Sequence, residues 1–205
     1  MRIDVPTPGG PALVDLDRPR GAPTALLVLT HGAGGGVETA DLNAIRVAAV
    51  KAGVAVARVT QPYRVAGRRA PTAPAKQDEA WLAVVAALRR RRGLAAVPLV
   101  VGGRSNGARV ACRTAAASGA DGVVALAFPL HPPGKPEATR ITELDGVEVP
   151  VLVVQGDRDP FGMPPDGPGR EVVVVPGADH GLKREVATTA AAVVDFVVRA
   201  SAKIQ

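Results

Sequence analysis

The sequence predicts an α/β fold in which helices cover both faces of a mostly parallel central sheet. Continuous apolar runs such as Ala25–Leu29 and Val123–Phe128 are typical of strands that are buried on both faces. These runs alternate along the chain with amphipathic helical segments, and that alternation indicates βαβ units. The chain has 205 residues, enough for one full core, so we expect residues 1–205 to form a single domain.

The elements follow in order from apolar runs, turn residues and helical periodicity. In the second predicted helix, Trp81, Val84, Val85 and Leu88 recur at the spacing of one helical face. The predicted strands are Ile3–Val5, Ala12–Asp17, Ala25–Leu29, Val54–Val59, Pro98–Val101, Val123–Phe128, Pro150–Val154 and Glu171–Val175. The predicted helices are Asp41–Ala52, Asp78–Arg92, a segment that ends near Ala117, and Lys183–Arg199.

Two connections lack the periodicity of a helix or a strand. Residues 61–76 form a loop rich in Pro, Arg and Ala, and residues 130–147 form a long connection with room for a short helix. An inserted cap domain would need more residues than the second connection has. We therefore expect no cap domain and an open or shallow site.

Composition narrows the expected partners and location. The net charge of +6 admits a nucleic-acid partner, but aromatic residues are only 2% of the chain and few could stack on bases. We expect no nucleic-acid partner and attribute Arg89–Arg92 to a helix end before Gly93. No apolar run could span a membrane and no signal-peptide core is present, so we expect no membrane partner and a cytoplasmic location. The single cysteine, Cys112, excludes an internal disulfide.

The most specific motif is Gly103-Arg104-Ser105-Asn106-Gly107, which lies between an apolar run and a helix of small residues. A strand that reverses directly into a helix forces the central residue into strained backbone angles. Side chains at the flanking positions would collide, so glycine is needed there. In this context the motif is the nucleophile elbow of α/β-hydrolases and predicts Ser105 as a nucleophile. The alternative is an ordinary turn serine.

A nucleophile of this type is followed along the chain by an acid and then by a histidine base. His180 lies between the last predicted strand and the last helix, which is where the base is expected. Asp159 lies a few residues beyond the preceding strand and is the preferred acid. Asp157 competes with it, but is better placed for hydrogen bonds within its own turn. Asp179 adjoins His180 in sequence and would not reach the far ring nitrogen.

An oxyanion hole needs two backbone N–H groups that point at the developing negative charge. One is predicted at Asn106, and the other in the glycine-rich loop of residues 31–36 after the third strand. Ala33 is the preferred donor of that loop, with Gly32 and Gly34 as alternatives. The loop lacks the Gly-Lys-Ser/Thr ending of a phosphate-binding loop.

The histidines and several arginines complete the set of candidates. The three histidines lie far apart and lack the spacing of metal ligands, so we expect no metal and no cofactor. His31 is expected to be a structural hydrogen-bonding residue. His131 is a candidate for lining the substrate pocket, with a structural role as the alternative. Arg104 is a second substrate-binding candidate, and Arg64, Arg68 and Arg69 are further arginines expected near the site. Arginines there would favour an anionic acyl or phosphate-bearing substrate; the alternative is that they are solvated surface arginines.

These motifs resemble those of small α/β-hydrolases of the dienelactone-hydrolase-like group. More narrowly, they are similar to a family that includes a testis-expressed hydrolase-like protein and a subunit of an animal histone-acetyltransferase complex. The resemblance implies the α/β-hydrolase fold and a triad of Ser105, Asp159 and His180. Dienelactone hydrolases proper use a cysteine nucleophile, whereas this chain has a serine. The matching segments are residues 31–35, 102–109, 129–136, 155–162 and 179–180.

The residues and the resemblance lead to two hypotheses. The first is a serine hydrolase that cleaves a small carboxylic ester or thioester through an acyl-enzyme on Ser105, as a monomer or homodimer. The second is a hydrolase-fold binding or scaffold protein with little turnover, which a complete set of catalytic side chains disfavours.

Overall fold

The computed structural model describes residues 1–202 and contains eight strands and six helices within them. The strands are β1 (Arg2–Val5), β2 (Ala12–Asp17), β3 (Ala25–Thr30), β4 (Val54–Thr60), β5 (Leu99–Arg104), β6 (Gly122–Leu126), β7 (Val151–Gly156) and β8 (Arg170–Val175). The helices are α1 (Ala40–Lys51), α2 (Pro62–Val65), α3 (Pro74–Arg89), α4 (Asn106–Ser118), α5 (Ile141–Asp145) and α6 (Val186–Ala202).

All eight strands form one sheet in the order β1-β2-β4-β3-β5-β6-β7-β8. The pairs β1–β2 and β2–β4 are antiparallel, and every other neighbouring pair is parallel. The carboxyl ends of the six parallel strands therefore meet at one edge, where ligand sites of open α/β sheets lie. The predicted mostly parallel α/β architecture is confirmed.

Helices cover both faces of the sheet, and β3 shows why its sequence is apolar throughout. Leu26 and Val28 lie in the core layer that contains Trp81 of α3, together with residues of α4. Leu27 lies in the opposite layer, which contains Phe196 of α6 and residues of α1. Because successive side chains of a strand point to opposite faces, a strand that is covered on both sides is apolar at every position.

Most predicted elements are present, with shifted ends. The segment 61–76 is not a plain loop, because it contains α2 and the first turn of α3, which begins at a proline in the first helical position. Helix α3 ends at Arg89, so the following arginines lie in a turn that leads to Gly93 at φ 76°. Helix α6 begins at Val186 and not at Lys183. Between β6 and β7 the chain has only the five-residue helix α5, which agrees with the absence of a cap domain.

None of the helices between residues 1 and 202 combines the length and the apolar character that crossing a membrane requires.

Candidate active site

Ser105 occupies the sharp turn between β5 and α4. Its backbone angles are φ 52° and ψ −113°, a conformation that costs a non-glycine residue about 1–3 kcal/mol. A Cβ atom on Gly103 would lie 2.7 Å from the carbonyl carbon of Gly107. A Cβ atom on Gly107 would lie 2.8 Å from the carbonyl oxygens of Thr30 and His31. The turn therefore has no room for side chains on either side of Ser105, as the sequence predicted.

Three side chains from three loops meet at this turn. His180 Nε2 lies 2.8 Å from Ser105 Oγ, and His180 Nδ1 lies 2.8 Å from Asp159 Oδ2. The Asp159 side chain is 0% exposed, whereas that of His180 is 22% exposed. A buried carboxylate thus contacts one ring nitrogen, and a hydroxyl that solvent can approach contacts the other. This arrangement can move a proton from the hydroxyl to the imidazole.

The Asp159 carboxylate has further donors besides His180. The Phe161 N–H donates to Oδ1 at 2.9 Å, and Gln155 Nε2 donates to Oδ2 at 2.9 Å. Gln155 is fully buried, and the same nitrogen lies 2.8 Å from the carbonyl oxygen of Gly162. These contacts satisfy the buried carboxylate in its ionised form and fix its orientation.

The loops of Asp159 and His180 lie against each other. A Cβ atom on Gly156 would lie 2.2 Å from the Ala178 carbonyl oxygen, so only glycine allows this approach. The Arg158 N–H donates to the same oxygen at 3.0 Å. Asp157 Oδ1 accepts from the Gly177 N–H at 2.7 Å, so this carboxylate joins the two loops. The expectation that it would hydrogen-bond within its own turn is not met.

Two further residues near the triad, Asp179 and Phe161, also have local partners. Asp179 Oδ1 accepts from the Gly181 N–H at 2.8 Å, which is a turn contact. The ring of Phe161 stacks on His180 with centroids 4.1 Å apart. Phe161 therefore limits the positions that the imidazole can take.

His31 orients the glycine-rich loop that follows β3. Its Nε2 accepts from the Gln61 N–H at 3.0 Å, so the proton is on Nδ1, which donates to the Gly32 carbonyl at 2.8 Å. Burial lowers the pKa of His31, which favours this neutral form. In a trans peptide the N–H of the next residue, Ala33, points away from that carbonyl.

This peptide lies next to the elbow. A Cβ atom on Gly32 would lie 3.4 Å from the Cβ atom of Ser105. Asn106 is the first residue of α4, so its N–H has no partner within the helix. Both predicted oxyanion donors, Ala33 and Asn106, are thus neighbours of Ser105. The positive end of the α4 dipole lies at the same point.

Residues of α2 and α3 support these two donors from the side. The Tyr63 hydroxyl donates to the Ala33 carbonyl at 2.9 Å, and burial raises the pKa of Tyr63 to about 12, so the phenol keeps its proton. Asn106 Nδ2 donates to Gln77 Oε1 at 2.6 Å, and Gln77 Nε2 donates to the Thr72 carbonyl at 2.6 Å. Residues 61–76, which the sequence predicts to be a loop, therefore contain side chains that contact the site.

The two substrate-binding candidates are both engaged with protein groups. Arg104 Nε lies 3.2 Å from Oδ2 of the buried Asp41, and another guanidinium nitrogen donates to the His180 carbonyl. Arg104 is therefore neither a solvated arginine nor free to bind substrate, and the structure gives it a positioning role instead. His131 Nδ1 lies 2.9 Å from the Pro132 carbonyl, and its ring lies against Gly162 in the loop that carries Asp159. This placement favours its structural role.

Four residues of the site escaped sequence reasoning: Gln155, Phe161, Tyr63 and Gln77. Gln155 had a visible signal, because it is a buried polar residue directly after the apolar run of β7. The other three had none, because their partners come from other parts of the chain.

Comparisons with known proteins agree with this geometry at the level of the fold. The family described as an alpha/beta hydrolase domain matches residues 23–204. None of the curated proteins matches the sequence. Among solved structures, Est1E from Butyrivibrio proteoclasticus has a TM-score of 0.77 at 18% identity, over 98% of this chain and 99% of that chain.

Two further structures are similar. XC6422 from Xanthomonas campestris, described as an a/b serine hydrolase without lid, has a TM-score of 0.74 at 22% identity over 97% of this chain and 93% of that chain. Dienelactone hydrolase from Anabaena variabilis has a TM-score of 0.75 at 16% identity over 97% and 96% of the two chains. The narrower resemblance to the testis-expressed protein stays a prediction. The family match, the sheet order and the elbow agree, and the chain belongs to the alpha/beta hydrolase domain family.

Proposed function

We propose that the protein is a serine hydrolase that cleaves a small carboxylic ester or thioester. The observation that carries the proposal is the continuous hydrogen-bonded row of Ser105, His180 and Asp159, with 2.8 Å at each step. A buried acid, a histidine and an elbow serine in this order are the parts that acyl transfer requires. No cofactor and no metal takes part in the proposed reaction.

In the first half of the reaction, His180 Nε2 takes the Ser105 hydroxyl proton while Oγ forms a bond to the carbonyl carbon. The carbonyl electron pair moves to oxygen, and the N–H groups of Ala33 and Asn106 donate to the resulting oxyanion. The oxyanion then collapses, and the bond to the leaving alcohol or thiol breaks. His180 gives its proton to that leaving group, and an acyl-enzyme on Ser105 remains.

In the second half, water attacks the acyl carbon and gives a proton to His180. The second oxyanion collapses, the bond to Ser105 Oγ breaks, and His180 returns the proton to Oγ. Asp159 stays ionised throughout and stabilises the imidazolium. We expect the protein to act in the cytoplasm as a monomer or homodimer, without a nucleic-acid or membrane partner.

A fluorophosphonate probe and p-nitrophenyl esters of increasing acyl length test the proposal. We expect the probe to label the folded protein at Ser105, and Ser105→Ala to lower kcat/KM by roughly 10⁴-fold or more. Ser118→Ala is the matched control, because the Ser118 hydroxyl only donates to the Ala115 carbonyl within α4. Absence of labelling and of turnover in the folded protein would favour a binding or scaffold protein with this fold.

A further inference from the structure

A cavity of about 240 Å³ lies at the carboxyl edge of β4, apart from the triad. The β1–β2 turn, α2 and the first turns of α3 surround it. It is smaller than the about 300–1,000 Å³ of pockets for drug-sized ligands, so it suits a small group. Its polar lining residues are Gln61, Arg68, Thr72, Lys76, Gln77 and Glu79.

Two lining residues connect this cavity directly to the predicted oxyanion hole. Tyr63 lines the cavity and donates to the carbonyl of Ala33. Gln77 lines it and accepts a hydrogen bond from the Asn106 side chain. Each residue that is expected to supply an oxyanion donor therefore contacts the cavity wall. Tyr63 and Gln77 therefore form a border that the cavity shares with the predicted oxyanion hole.

The charge of the lining favours an anion. Arg68 and Lys76 are exposed at the cavity, and within residues 1–202 neither lies within salt-bridge distance of a carboxylate. Glu79 is the single acidic residue of the lining, so one positive charge remains. A guanidinium and an ammonium group that lack protein partners are the donors that bind carboxylate and phosphate oxygens.

We propose that this cavity is a subsite that holds an anionic group, a carboxylate or a phosphate, at the end of the substrate remote from the scissile bond. The inference rests on the proposed function, because it names the substrate class of the same site. Arg68 and Lys76 attract the anion and Glu79 opposes it. The preferred substrates are therefore monoesters of short dicarboxylic acids or phosphate-bearing esters, in place of plain fatty-acid esters.

The test compares two esters with the same number of acyl carbons, mono-p-nitrophenyl adipate and p-nitrophenyl hexanoate. Exposed ion pairs change an equilibrium constant by up to about fivefold each, so we expect kcat/KM to favour adipate by about three- to tenfold. The preference should shrink as salt is added, because screening weakens exposed charge pairs. An equal or lower kcat/KM for adipate would overturn the proposal.

Substitutions of cavity residues test whether the cavity causes the preference for the adipate ester. Arg68→Gln combined with Lys76→Gln should reduce the adipate-to-hexanoate ratio to about one, and Glu79→Gln should raise it about two- to threefold. Arg69→Gln is the matched control, because Arg69 is an exposed neighbour that does not line the cavity. A ratio that survives the double substitution, or that falls equally in Arg69→Gln, would overturn the proposal.

Ligand binding separates failure of this inference from failure of the proposed function. If the wild type cleaves neither ester and Ser105 is not labelled, the hydrolase assignment fails. Ligand-observed NMR with adipate and hexyl phosphate, and with uncharged hexanamide as the control, then decides the subsite alone. A binding signal for adipate or hexyl phosphate that is lost in the Arg68→Gln/Lys76→Gln variant supports the subsite. The anion that binds more strongly shows whether the subsite prefers a carboxylate or a phosphate. No signal, or an equal signal in the variant, overturns it.

Discussion

Replacing Gln155 by methionine removes the side-chain donor that holds Asp159. Gln155 Nε2 lies 2.9 Å from Asp159 Oδ2, 2.8 Å from the Gly162 carbonyl oxygen and 3.2 Å from the Phe128 carbonyl oxygen, so three acceptors share its two hydrogens. A hydrogen bond to a charged acceptor contributes about 1.5–3 kcal/mol and one to a neutral acceptor about 0.5–1.5 kcal/mol. Methionine fills a similar volume, so the free energy of unfolding is expected to fall by about 2–4 kcal/mol.

The same change should slow catalysis. Gln155 holds the carboxylate that orients the His180 imidazole and stabilises its charged form. A loss of about 1.5 kcal/mol of this support corresponds to about a tenfold lower kcat/KM.

Urea unfolding measures the first effect, and the rate of ester hydrolysis or of fluorophosphonate labelling measures the second. Gln61→Met is the matched control, because Gln61 is a buried glutamine at the end of β4 whose side chain donates only a long 3.4 Å hydrogen bond to Thr30. It should change kcat/KM much less than Gln155→Met does. An unchanged kcat/KM in a folded Gln155→Met variant would refute the reasoning.

The remaining predictions concern the elbow and the oxyanion loop. Gly107→Ala should lower the free energy of unfolding by more than about 2 kcal/mol, because its Cβ would lie 2.8 Å from two carbonyl oxygens. Thermal unfolding measures this change. Gly36→Ala is the control, because a Cβ atom at Gly36 would meet open space. Burial lowers the pKa of His31 below 6.5, so the unfolded chain binds a proton that the folded chain does not. The free energy of unfolding should therefore fall as the pH decreases below 6.5, by up to about 1.4 kcal/mol per pH unit. The His31→Gln variant should lack this contribution. Plots of unfolding free energy against pH that run parallel for the two proteins would contradict the prediction.

Much of the fold and the triad positions could be predicted because their signals are local. The apolar runs gave the strands, and the spacing of Trp81, Val84, Val85 and Leu88 indicated the buried face of α3. The elbow motif fixed the strand, turn and helix around Ser105. These features depend on residues that are close together in sequence, where periodicity and turn chemistry act.

The supporting contacts could not be predicted because they join distant segments. Gln77 and Asn106 are 29 residues apart, and only the packing of α3 against α4 brings them together. Helix α2 has four residues, too few for a helical period to appear. The partners of Arg104, Asp41 and the His180 carbonyl, lie in α1 and in the loop after β8, and the sequence does not reveal that these segments meet the end of β5.

The close approach of Gly156 to Ala178 has a consequence for how this protein can change. The loop with Asp159 and the loop with His180 are joined by this glycine contact and by hydrogen bonds. The backbone of one loop therefore cannot change its conformation while the other keeps its own. Loop grafting or recombination with a homologue should succeed only when residues 155–162 and 176–182 are transferred together. In a family alignment, residues of these two segments should vary as one block.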